Sequence, residues 1–94
     1  GIVWMEAGGA VRAQPRRGIR EPLARVAATA RHWTLDGSTL FTVDARGRLQ
    51  ALDLARGGQV VLDVDLGAPP MAAPAVTSER VVVPVEGALV GVQR

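Results

Sequence analysis

Leu40-Phe41-Thr42-Val43-Asp44-Ala45-Arg46-Gly47-Arg48-Leu49-Gln50-Ala51 is the stretch from which the fold can be read. Residues 40–43 are aliphatic, aromatic or β-branched, residues 44–47 make a polar turn closing on glycine, and residues 48–51 alternate polar with apolar. Glycine enters φ > 0 without steric cost, and period-two alternation buries one face of a strand, so the segment predicts a β-hairpin.

The same pattern stands at Ile2–Ala13 and again at Arg80–Gly91, with turn glycines Gly9, Gly47 and Gly87 spaced 38 and 40 residues apart. At an ungapped offset of forty, Ser38 meets Ser78, Val43 meets Val83 and Leu49 meets Leu89. Residues 38–54 and 78–94 are therefore expected to be equivalent hairpins. Between them, Leu54-Ala55-Arg56-Gly57-Gly58 reads as a tight turn and Gln59–Leu66 as a strand. Gly67-Ala68-Pro69-Pro70 breaks that strand, and Met71–Val76 supplies another. Four short strands per period of about forty residues is the spacing of a β-propeller blade.

The expected fold class is all-β, with about two and a half four-stranded antiparallel blades belonging to a larger ring. Residues 1–25 would end a first blade, 26–66 form a complete one, and 67–94 give three strands of the last. Such a piece would expose open edges and valine faces around Val81–Val83 and Val60–Leu62. Arg16–Trp33 is ambiguous. Glu21-Pro22 followed by Leu23, Val26, Ala27 and Ala30 has helical spacing with proline in the first turn, whereas the repeat register makes residues 19–32 strand. The repeat takes precedence, because helix propensity yields to tertiary context.

Composition narrows the function classes. The chain of 94 residues is 48% hydrophobic and 21% charged, with Trp4, Trp33 and Phe41 as its aromatics, so its core must come from valine, leucine and alanine. Its basic residues are all arginine apart from His32, and the net charge of +2 is split, residues 1–32 carrying +4 and residues 33–94 carrying −2. That balance is not a nucleic-acid signature, and no apolar run approaches the roughly 20 residues that span a bilayer. Cysteine is absent, which removes disulfides and thiolate metal sites.

In the middle copy, Ala51, Asp53 and Gly57, with Val60-Val61 beyond, resemble the docking segment of pyrroloquinoline-quinone (PQQ) type propeller repeats. Gly58 stands where that family has lysine and Val61 where it has tryptophan. Phe41–Asp44, Gly47 and Leu49 are similar to the family's strand-turn-strand, and Gly67-Ala68-Pro69 with Ala73-Pro74-Ala75-Val76 to its passage into the next blade. The likeness is good over residues 35–94 and loose over 1–34, where Pro15 replaces the aspartate. An aspartate in this position can bind turn amides while the glycine reverses the backbone. With valine in place of the aromatic, looser contact between blades is expected.

No catalytic, cofactor-binding or metal-ligating residue is assigned. His32 has no partner base or nucleophile nearby in sequence, and Trp33 reads as a filler between strands or blades. Asp36, Asp44, Asp53, Asp63 and Asp65 match no calcium loop and read as turn and surface residues. Gly8-Gly9 and Gly57-Gly58 lead into strands rather than the helix a phosphate loop needs. Arg16, Arg17, Arg20, Arg25 and Arg31 read as a solvated blade edge. The resemblance implies a non-enzymatic scaffold or binding module without cofactor, partnered by proteins, by remaining blades or by further copies, as in bacterial envelope scaffolds and sensor domains. The competing reading is a fragment of a PQQ-dependent quinoprotein dehydrogenase.

Overall fold

A computed structural model describes residues 2–5, 10–14 and 24–94, with side chains from Ala30 onward. Those residues form an all-β, antiparallel fold of three sheets. The first sheet has strands β1 (Ile2–Met5), β2 (Ala10–Gln14) and β3 (Ala24–Thr29) in that order. The second is a four-stranded meander of β4 (His32–Asp36), β5 (Thr39–Val43), β6 (Arg48–Asp53) and β7 (Gln59–Asp65). The third orders β8 (Ala75–Val76), β9 (Arg80–Val85) and β10 (Ala88–Gln93).

Residues 24–29 are strand, as the repeat register requires and the helical spacing does not; residues 19–23 lie outside the described set. One boundary moves. Residues 26–29, expected to open the four-stranded unit, instead lie in β3, paired with β2, and the second sheet opens at His32. Arg31 marks the break, its amide donating to the Val43 carbonyl (2.7 Å).

The hairpins explain why the strands meet where they do. Met5 pairs with Val11 and Val43 with Leu49, so the first two hairpins share one register. In the third, Val85 pairs with Ala88 across Glu86-Gly87, and Leu89 faces Pro84 rather than Val83. The third turn is one residue shorter, so the counterpart of Val43 is Pro84, not Val83. Gly47 and Gly87 still hold the same place, each directly before the second strand, at φ 92° and 85°. Pro84 lacks an amide donor but sits opposite a bulge. Strand β9 meets Pro70 at Val85 and Ala75 at Val82, leaving residues 71–74 looped out, and the Met71 amide donates to the Pro84 carbonyl (2.8 Å).

This shift decides which faces are buried, because a one-residue slip exchanges the two sides of a strand. Phe41, Val43, Leu49 and Ala51 of the second sheet share a core cluster with Val81, Val83 and Val85 of the third. Leu62, Leu66, Ala68, Val76, Val90 and Val92 border it. On the other side of the second sheet, Leu40, Thr42, Leu52 and Leu54 are also buried. The middle strands are thus covered on both faces. Val81 and Val83, expected on an open face, are fully buried; Val82 between them is half-buried, and Val60 and Val61 are exposed on β7.

Candidate functional site

The sheets have two ends. One carries the β5–β6 turn, the β9–β10 turn and the linker of residues 66–74; the other carries Gly37-Ser38, Leu54–Gly58, Thr77–Glu79 and Arg94.

At the linker end, Asp44 organises its turn by accepting from the amides of Arg46 and Arg48, both at 2.9 Å. Gly47 is buried there, and the linker runs over it: the Leu66 amide donates to the Gly47 carbonyl (2.8 Å), and a Cβ on Gly47 would collide with the Ala68 carbonyl. Asp65 fixes the start of the linker through the Gly67 amide (2.9 Å), and the Glu86 amide donates to Pro69 (3.0 Å). This construction leaves a groove of about 430 Å³ lined by Arg31, His32, Ala45, Pro69 and Pro70. His32 is half-buried in its wall and Arg31 is exposed at its mouth. The groove offers one guanidinium, one imidazole and two rigid prolines, a set suited to holding an anionic or peptide group but holding no nucleophile with a base. Ala45 and the proline pair were not singled out in the sequence as lining residues. In the sequence, Gly67-Ala68-Pro69-Pro70 reads as a strand breaker and, by resemblance, as a passage into the next blade, neither of which points to a groove.

At the opposite end Arg94 ties the second and third sheets together. Its Nη1 donates to Asp36 Oδ2 (2.8 Å) and to the Thr77 carbonyl (2.7 Å), and its guanidinium lies 5.0 Å from the centre of the Phe41 ring. The two sheets also touch where Thr34 Oγ1 on β4 donates to the carbonyl of Pro74, just before β8 (2.6 Å). Below Arg94 a narrower slot of about 130 Å³ runs between Thr39, Phe41, Ala51, Val61 and Leu62. Val61 and Leu62 both reach it because Ala51 pairs with Leu62 and Leu52 with Val60, which makes Val61 the extra residue of a β-bulge.

Asp53 and Asp63 have separate tasks. Asp53 caps the 3-10 turn Leu54–Arg56 by accepting from the Ala55 amide (3.0 Å), and Gly57 ends it at φ 69°. Asp63 takes a two-point contact from Arg48, Nε to Oδ1 at 2.8 Å and Nη2 to Oδ2 at 2.7 Å, with Gln50 beside it. Those hydrogen bonds hold the Asp63 carboxyl below the usual carboxylate range and raise the Arg48 guanidinium. Trp33 is half-buried on β4. Arg25 lies in β3, while Arg16, Arg17, Arg20 and Gly8-Gly9 fall outside the described residues. Among the described residues, no three acidic, histidine or cysteine side chains converge as a metal site, and no helix is long and apolar enough to cross a membrane.

No known protein family, curated protein or solved structure matches this chain at a significant level.

Proposed function

We propose that the three sheets are successive blades of a β-propeller of PQQ-like repeats, and that the chain is a non-enzymatic scaffold or binding module acting through its rim loops and blade faces. One observation carries the reading. When the hairpins are matched from their turns, Leu40 and Thr42 correspond to Val81 and Val83, all four buried, and Leu49 corresponds to Leu89. The third sheet therefore turns toward the second the same face that the second turns away from it. Sheets stacked by rotation about an axis have that relation, whereas two sheets of a sandwich present equivalent faces to each other.

The distribution of chemistry supports a binding role over catalysis. His32 and Arg31 share a groove at the linker end, while Asp36, Asp44, Asp53, Asp63 and Asp65 are each occupied with a turn amide or an arginine. Titration with PQQ and calcium tests the assignment. A scaffold leaves the quinone spectrum unchanged and reduces no dye with an alcohol or sugar substrate. Saturable quinone binding with dye reduction would instead assign the chain to a dehydrogenase.

A further inference from the structure

The groove at the linker end draws on three parts of the chain: Arg31 and His32 at the opening of β4, Ala45 in the β5–β6 turn, and Pro69 and Pro70 in the linker. Its volume of about 430 Å³ falls within the range of small-molecule sites, roughly 300–1,000 Å³. Among the described residues no acid lines it, and Asp44, next to Ala45, is engaged with the amides of Arg46 and Arg48. The Arg31 amide already donates to Val43, the Pro69 carbonyl already accepts from Glu86, and neither proline has an N–H. Recognition therefore falls to the side chains. A guanidinium fork and a ring N–H match the two oxygens of a carboxylate, whereas a phosphate is better met by a nest of backbone amides. The rest of the wall, Ala45 and two pyrrolidine rings, is aliphatic.

We propose that this groove binds a small organic carboxylate with a short branched aliphatic body, its carboxylate on Arg31 and His32 and its body against Ala45, Pro69 and Pro70. The inference rests on the binding-module reading and names a ligand class for it; the groove itself needs only the second sheet and the linker that follows β7. The planar Arg31 guanidinium can present two parallel N–H groups to the two oxygens, which fixes the ligand's orientation as well as its charge. Proline side chains have no rotamer freedom to lose, so covering Pro69 and Pro70 removes apolar surface from water at little entropic cost.

His32 is the only histidine in the chain, so its ring-proton resonances report directly on the groove. In a titration at fixed pH and ionic strength, isovalerate should shift them saturably with a Kd on the order of 1 mM. Acetate, which lacks the aliphatic body, and isovaleramide, which lacks the charge, should each bind more weakly by about tenfold or more. Arg31→Gln changes an exposed residue, should keep the wild-type circular dichroism, and should weaken isovalerate by about the same factor. Arg56→Gln, which removes the same charge at the opposite end of the sheets, should leave the Kd unchanged. A shift that never saturates, equal affinity for isovaleramide, or inorganic phosphate binding as tightly as isovalerate overturns the proposal, and these comparisons use the unaltered chain. A folded Arg31→Gln that binds like the wild type also overturns it. So does an acetylated tripeptide ending in valine that binds tighter than isovalerate by about tenfold or more, which would give the groove to a peptide carboxyl terminus. A failed titration without quinone-dependent dye reduction removes this ligand class and leaves the binding-module reading standing. Dye reduction with PQQ would remove that reading, and the inference with it.

Discussion

Gly47 meets two demands at once, a positive φ and a linker carbonyl in the place of a side chain. Gly37 has φ 61° with open space around it, so it meets only the first. Gly37→Ala should cost about 1–2 kcal/mol, the ordinary penalty of the left-handed region. Gly47→Ala should cost more than about 3 kcal/mol, because the linker must also move; urea denaturation of both variants measures the gap. Asp63 offers a pH test. Its folded pKa is depressed chiefly by hydrogen bonding to Arg48, so its contribution to stability is present above the unfolded carboxylate value of about 3.9 and is lost as pH falls through the folded pKa. The denaturation midpoints of wild type and Asp63→Asn should therefore differ by a small constant near neutrality and converge in strong acid. Since the pair lies in solvent, added salt should shrink the difference.

Among the elements, β7 shows how a local irregularity sets the contact between sheets. Its bulge turns Val61 toward the slot beneath Arg94, at the position where the PQQ-like pattern carries tryptophan. Val61 remains 55% exposed and leaves the slot open. Val61→Trp should fill it and stack near Phe41, raising stability by about 0.5–2 kcal/mol with an unchanged denaturant m-value. A lower midpoint would show that the slot does not accept a ring. The acids around these elements were readable as turn and surface groups, and Asp53 and Gly57 do cap and reverse the chain after β6. The Arg94 clamp was not readable, because Asp36, Phe41 and Thr77 are brought to it by three different strands or turns.

On the scale of the whole molecule, one repeat position has two fates. Leu49 is fully buried between sheets and Leu89, its counterpart, is largely exposed. Leu49→Ala should cost about 2–5 kcal/mol through the cavity it leaves. Leu89→Ala, at a position 73% exposed, should stay within about 0.5 kcal/mol. Thermal melts of the two variants at low protein concentration check this, and equal losses would mean that the faces are not ordered as successive blades.

Strand identity and turn glycines are local, so residues 40–51 determine a hairpin by themselves, and its copies determine the period near forty. The tertiary structure alone decided how the third copy sits. Ungapped comparison places Val43 with Val83, yet cross-strand pairing removes one residue from the Glu86-Gly87 turn and places Val43 with Pro84. Side chains alternate with a period of two, so that single residue exchanges the buried and open faces of β9. The valine run Val81-Val82-Val83 reads the same in either register, and only the second sheet beneath it selects which two of the three are buried.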